Sequence, residues 1–217
     1  VVSRLVILRH GRTAWNAARR YQGQADPPLD DVGRAQAIEA AALVAAMRPD
    51  VIVSSDLQRA RQTADKLALL AELPMQIDKR LRERHLGHWQ GLTRDEVQSR
   101  YPDEYADWAA GRDVSRRGGE SRHEVAERAC EVVATLPDVE VAVLVSHGAT
   151  AMCLSAALLG LPQTPSVLAA LANCHWTELR FFGDSWTLRA HNAGAPGPVI
   201  PLLAPEITDA EAADADA

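Results

Sequence analysis

Leu5-Val6-Ile7-Leu8 opens the chain as an unbroken apolar run of strand length, and its lack of alternation predicts a strand covered on both faces. A polar loop follows as far as Pro27-Pro28. The alanine-rich residues 31–47 then predict a helix stopped at Pro49, and Val51-Ile52-Val53 a second buried strand. Ser55 and Gln58 have capping-box spacing ahead of Leu57, Ala60, Ala64, Leu67 and Ala71, which recur at the three-and-four interval of a helix with one buried face. Arg59 falls in the first turn of that helix. Ser121 with Glu124 predicts another cap, before Val125, Ala129, Val132 and Leu136. Residues 141–145 read as a further strand, 149–159 as a helix, and 176–182 with 186–190 as an antiparallel pair turning at Gly183-Asp184. Strand and helix alternate, so the fold class is α/β, a mostly parallel central sheet with helices on both faces.

Residues 81–119 interrupt this rhythm with more charge and with Trp89, Tyr101, Tyr105 and Trp108, and they read as a helical insertion or lid. With 217 residues and no repeat or linker, the chain is expected to form one domain over residues 1–192, followed by a loosely structured tail at 193–217 rich in proline, alanine and aspartate. The net charge of −6 offers no field to attract nucleic acid or anionic lipid. The most apolar stretch, 149–161, is broken by Thr150 and Ser155 and is too short for a bilayer, and the first residues lack a signal peptide's apolar core. A cytoplasmic protein with no nucleic-acid or membrane partner is expected, and a homodimer is left open. Cys130, Cys153 and Cys174 are scattered and read as small apolar filler.

Chemistry concentrates where predicted strands end. The first ends at Arg9-His10-Gly11, the second just before Arg59, and the strand at 141–145 at Ser146-His147-Gly148. Ligands of open α/β sheets bind beyond the carboxyl ends of the strands, so these residues can converge on one crevice. Two arginines and two histidines there form a cationic pocket, and phosphate matches both the guanidinium fork and the free N–H groups of helix N-termini.

Arg9-His10-Gly11 with Thr13, Trp15-Asn16, Gln22-Gly23 and Pro28-Leu29 resembles the signature of the histidine phosphatase (phosphoglycerate mutase-like) superfamily. The resemblance continues through Ser54-Ser55-Asp56-Leu57, Arg59-Ala60, Leu81-Arg82-Glu83, Gly118-Gly119-Glu120-Ser121 and Ser146-His147-Gly148. It implies a phosphomonoesterase in which His10 is the nucleophile, Arg9, Arg59 and His147 hold the phosphoryl group, and Glu83 donates the proton to the leaving oxygen. His10 needs an acceptor on its other ring nitrogen to select the reactive tautomer, and a nearby backbone carbonyl is the expected one. Arginine and histidine can neutralise the phosphoryl charge without a metal, so no cofactor and no metal are expected. Asn16 and Gln22 are neutral amides able to bind phosphate or substrate, and Gly11, Gly23 and Gly148 allow close backbone approach.

Taken singly, each residue has a plainer reading: His10 as a structural strand-end histidine, Arg59 as a solvated helix arginine, and Glu83 as one charge among Arg80, Arg82, Arg84 and His85. The remaining histidines lack metal-ligand spacing, and Trp89 and Trp108 read as packing. Within the family, Arg12-Thr13 and Tyr21-Gln22-Gly23-Gln24 resemble the phosphatase branch, where mutases read Glu-Ser and Phe-x-Gly-Trp. The blocks at 81–93, 118–122 and 154–159 most resemble members that act on glucosyl-3-phosphoglycerate, a small substrate carrying phosphate and carboxylate. Arg112, Arg116 and Arg117 suit the latter group. A phosphoglycerate mutase or a broad-specificity phosphatase is the runner-up. The alternative from another class, a non-catalytic phosphate-binding module, should have lost a core residue, and none is missing.

Overall fold

The computed structural model describes residues 2–164 and 166–195. The strands are β1 (Arg4–Arg9), β2 (Val51–Ser54), β3 (Met75–Ile77), β4 (Val141–Ser146), β5 (Trp176–Phe182) and β6 (Ser185–Ala193). They form one sheet in the order β3-β2-β4-β1-β5-β6. Pairings β1–β4, β2–β4 and β2–β3 are parallel, while β5 and β6 add an antiparallel hairpin beside β1. The helices are α1 (Ala14–Ala17), α2 (Asp31–Ala45), α3 (Gln58–Ala71), α4 (Arg94–Arg100), α5 (Pro102–Ala109), α6 (Arg122–Ala134) and α7 (Gly148–Leu158).

Two-sided burial explains the continuous apolar strands. Val6, Leu8, Ile52, Val143 and Val145 pack on one face against Ala37, Ala41 and Val44 of α2 and Ala60, Ala64 and Leu67 of α3. Leu5, Ile7, Val51, Val53, Ala142 and Leu144 pack on the other against Ala129 and Val132 of α6 and Ala151 and Leu154 of α7. The chain leaves β1 toward β2 on one side and leaves β4 toward β5 on the other, so adjacent β1 and β4 border the crevice where strand order reverses. Arg9 is paired with Ser146 across that border. His10 and His147 each follow immediately, side by side beyond the strand ends.

Several local expectations change. The loop after β1 contains the short helix α1, capped reciprocally by Thr13 and Asn16. The three-residue β3 has only one parallel neighbour and too little pattern to be seen in advance. Ser55 and Gln58 do not form a capping box: α3 is N-capped by Leu57, which has no side-chain cap bond, and Asp26 accepts from the Gln58 amide at 2.7 Å. A carboxylate from a distant loop has taken the place of the local hydroxyl. β6 extends to Ala193, so the first residue assigned to the tail belongs to the sheet, and residues 196–217 lie outside the described residues. Among the described residues no helix is long and apolar enough to cross a membrane, and Cys130, Cys153 and Cys174 are free thiols.

The loop carrying His10 is held by interlocking glycines. A Cβ on Gly11 would lie 2.5 Å from the Gly33 carbonyl oxygen, and one on Gly33 only 1.9 Å from that of Arg12. Gly33→Ala would stabilise an unobstructed helix by up to about 1 kcal/mol. Here it is expected to reduce stability by about 1–3 kcal/mol, as overpacking does, and to displace the loop that carries His10. Urea unfolding and the imidazole resonance of His10 in the variant check both.

Candidate active site

His10 is buried, and its Nδ1 donates to the Gly11 carbonyl at 2.7 Å. Nε2 is therefore the nitrogen with the lone pair, and it accepts from Arg59 Nε at 3.3 Å. Arg59 has no exposed surface, and its other nitrogens donate to the carbonyls of Ala25 (2.7 Å) and Gly23 (2.8 Å). Its guanidinium is thus fixed by three bonds. Burial lowers its pKa to about 10, which still leaves it charged at neutral pH. Burial, with Arg59 and Arg9 nearby, holds His10 well below the ordinary imidazole value, against a smaller opposing effect of the Gly11 carbonyl.

His147 caps the start of α7, its ring centroid 5.1 Å from that of His10. Its Nε2 meets Ser55 Oγ at 2.9 Å, while the Leu57 amide donates to that same hydroxyl. The hydrogen between them belongs to either partner, and Nδ1 of His147 is buried without a hydrogen-bond partner among the described residues. Burial, then Arg59 and His10, hold the pKa of His147 well below the ordinary value. Arg9 leaves the sheet beside them and donates to the Leu171 carbonyl.

Glu83 lies at the N-terminus of α7. Its Oε1 accepts from the amides of Arg84 (2.9 Å) and Thr150 (3.1 Å) and lies 3.2 Å from the Thr150 hydroxyl, whose hydrogen goes to the Arg82 carbonyl at 2.8 Å. Its Oε2 accepts only from the Ala149 amide, at 3.3 Å. The two carboxylate oxygens are therefore not equivalent.

Arg9, His10, Arg59 and Glu83 open on a cavity of about 330 Å³, which Asn16, Gln22 and Gly23 also line. The Thr13 amide donates to Asn16 Oδ1 (3.1 Å), and its hydroxyl donates to Gln22 Oε1 (3.0 Å). Both amides have their acceptors occupied and keep N–H groups to offer. Gly11 and Gly148 do not line the cavity. The Gly11 amide is taken by Thr63 at 3.0 Å and its carbonyl by His10, so both its backbone groups are used within the protein and it orients His10. A Cβ on Gly148 would make only an ordinary van der Waals contact, 3.5 Å from the Arg9 guanidinium.

Farther out, Tyr21, Leu86 and Trp108 give the cavity an apolar wall, and Arg84, Arg94 and Arg117 line it too. Arg117 is buried over the Trp89 ring, 5.3 Å from its centroid. Arg116 is exposed and pairs with Asp107, outside the cavity, so the two neighbouring arginines separate. Trp89 is fully buried as packing, with its indole N–H on Glu104 at 2.7 Å. Ser55, Thr63 and Thr13 had a signal in the motifs that contain them, but nothing local revealed their partners. Among the described residues, no group of His, Cys, Asp and Glu has the arrangement of a metal site.

Residues 5–194 match the family model of the histidine phosphatase superfamily, branch 1. Glucosyl-3-phosphoglycerate phosphatase of Mycolicibacterium vanbaalenii is 42% identical over 216 residues, covering 89% of this chain and 96% of the relative. That of Mycobacterium tuberculosis is 41% identical over 213 residues, covering 88% and 95%. A probable phosphoglycerate mutase of Escherichia fergusonii is 32% identical over 211 residues, covering 94% and 96%. The solved structure of a mycobacterial glucosyl-3-phosphoglycerate phosphatase with VO3 superposes with a TM-score of 0.81 at 42% identity, over 89% of this chain and all of that one.

The two buried histidines have a consequence for pH. Unfolded imidazoles take up protons as pH falls through about 6.5, whereas the folded ones resist until well below it. The unfolded state then binds more protons, so stability declines as pH drops from 6.5 toward the depressed folded values. Replacing His10 or His147 with glutamine is expected to make that decline shallower. Guanidinium unfolding at pH 7.5 and 5.5 checks this, and the two imidazole resonances are expected to show no titration midpoint near 6.5.

Proposed function

This chain belongs to the histidine phosphatase superfamily, branch 1, and on that premise we propose that it hydrolyses glucosyl-3-phosphoglycerate through a phosphohistidine formed on His10. The observation that carries the chemistry is the fixed His10 tautomer, with Nδ1 on the Gly11 carbonyl and Nε2 presented to Arg59. The substrate is supported by the 41–42% identity to phosphatases of that name.

A phosphate takes over the donors that Arg59 Nε now offers to His10, together with Arg9, His147 in its Nδ1–H tautomer and the free amide groups of Asn16 and Gln22. A buried donor without a partner costs free energy, and a phosphoryl oxygen next to His147 removes that cost. Depression of the two imidazole pKa values keeps both rings neutral, so His10 is nucleophilic and only arginines contribute full positive charge. The Nε2 lone pair attacks phosphorus, the bond to the leaving oxygen breaks, and that oxygen takes its electron pair and a proton from Glu83. Oε2 is the donor atom, because Oε1 already accepts the amides of Arg84 and Thr150. Water then attacks phosphorus, its proton passes to Glu83, and the P–N electrons return to His10.

Turnover with EDTA present is expected to give a higher kcat/KM for glucosyl-3-phosphoglycerate than for 3-phosphoglycerate, and His10→Ala is expected to abolish both activities and the acid-labile phosphoenzyme. Faster hydrolysis of 3-phosphoglycerate, or its conversion to 2-phosphoglycerate in the presence of 2,3-bisphosphoglycerate, contradicts the substrate assignment.

Glu83→Gln is expected to slow an alkyl phosphate by about 10²–10⁴-fold, the usual contribution of a general acid. The same change should affect p-nitrophenyl phosphate far less, since its leaving group needs little protonation. Equal losses on the two substrates would remove Glu83 from the acid's role.

A further inference from the structure

Of the motifs in the sequence, Gly118-Gly119-Glu120-Ser121 has no part in the chemistry described above. Its glutamate nevertheless accepts three hydrogen bonds through its carboxylate. Glu120 Oε1 and Oε2 accept from Arg128 Nε (2.7 Å) and Nη2 (3.0 Å) in a fork-to-fork pair, with side chains only 18% and 24% exposed for Arg128 and Glu120. Oε2 also accepts the His85 amide at 2.8 Å. The Glu120 backbone continues the contact: its amide donates to the His85 carbonyl (2.9 Å) and its carbonyl accepts Arg84 Nε (2.8 Å) and Arg117 Nη2 (3.2 Å). Burial works to raise its pKa, but Arg128 and the His85 amide prevail and hold the carboxyl below its usual value.

Arg128 in turn reaches the strand-end segment that bears the proposed acid. It donates to the carbonyls of Arg80 and, at 3.3 Å, Glu83. The carbonyls between them are taken from the α7 side of the site: Ser146 donates to Leu81 and Thr150 to Arg82, both at 2.8 Å. Glu120 therefore fixes the segment on both sides of Glu83 at once, through Arg128 to the carbonyls of Arg80 and Glu83 and directly to the His85 backbone and the Arg84 side chain. The glycine before it is required for this approach, since a Cβ on Gly119 would sit 2.2 Å from the His85 carbonyl oxygen.

We propose that Glu120 is a positioning residue for the general acid, holding Glu83 through Arg128 and the His85 backbone so that Oε2 is placed for proton transfer. This rests on the reading of Glu83 as the acid. A residue acting in this way touches neither substrate nor phosphorus, so its loss weakens the step that needs a proton and spares the one that does not. Glu120→Gln keeps the size and removes the charge that holds the guanidinium. Arg128→Lys keeps the charge and loses the fork, so it cannot hold Glu120 and both carbonyls together.

The experiment compares kcat for an alkyl phosphate, glucosyl-3-phosphoglycerate or 3-phosphoglycerate, with kcat for p-nitrophenyl phosphate. Glu120→Gln is expected to lower the first at least tenfold and the second less than threefold, and Arg128→Lys to follow the same pattern if Glu120→Gln does not fold. In a Glu83→Gln background, Glu120→Gln is expected to change the alkyl-to-aryl ratio less than twofold. A Glu120→Gln variant that loses both activities equally, while Glu83→Gln loses them selectively, overturns the positioning role and leaves the acid assignment standing. Equal losses already in Glu83→Gln overturn both.

Discussion

The site depends on placing a cation without solvent beside an imidazole that has to remain uncharged. Arg59 is fully buried, and a buried guanidinium is tolerable only if its donors are met. Two of its five N–H donors are met by the carbonyls of Gly23 and Ala25, and a third by His10. The same contact keeps His10 neutral and defines which of its nitrogens is the acceptor. Charge, tautomer and orientation are consequently one property of the arrangement, and the loop at residues 22–26 must be where it is for any of them to hold.

That requirement reaches into the fold. The loop after β1 has to turn against the first turn of α2 closely enough for Gly11 to orient His10, which is why Gly11 and Gly33 meet backbone to backbone. The Thr63 hydroxyl ties the Gly11 amide to α3 and also donates to the Arg59 carbonyl at 2.8 Å, so the helix carrying Arg59 and the loop carrying His10 share one fastening. Thr13 does the same for Asn16 and Gln22. Threonines and glycines without chemistry of their own thus set the distances on which the reactive residues rely.

Much of this was legible in the sequence, for identifiable reasons. Two-sided strands such as Leu5-Val6-Ile7-Leu8 have an unmixed apolar signal, and the Ser121–Glu124 cap of α6 is local and complete. Strand ends announce the site because Arg9, His10, Ser146 and His147 are polar residues terminating apolar runs. What could not be read depended on partners far away in the chain. The cap of α3 comes from Asp26 and not from Ser55, whose hydroxyl instead serves His147 across 92 positions. The different fates of Arg116 and Arg117 follow from packing on Trp89, which no spacing rule reports. Gly11 looked like a ligand contact because glycine permits close approach, but the approach it permits is that of Gly33.

The division between strand ends and the segment at 81–119 also indicates where selectivity resides. Seven arginines line the cavity against only Glu83 and Asp95, in a chain of net charge −6. Arg9 and Arg59 belong to the phosphoryl end. Arg20 and Arg84 are paired with Glu96 and Asp113, while Arg94 donates to the Tyr105 hydroxyl and lies over the Tyr105 and Trp108 rings. Arginines anchored in this way have little rotamer freedom left to lose when a ligand arrives, so they contribute direction as well as charge. The bond-breaking residues see only phosphorus and the leaving oxygen, and they cannot distinguish one phosphomonoester from another except by the acidity of the group that departs. Discrimination by the remainder of the ligand has to come from the wall of Tyr21, Leu86, Trp108 and these oriented cations. Because most of that wall is built from the segment inserted between β3 and α6, it can change in evolution without disturbing the β1–β4 border, and one chemical apparatus can serve different substrates.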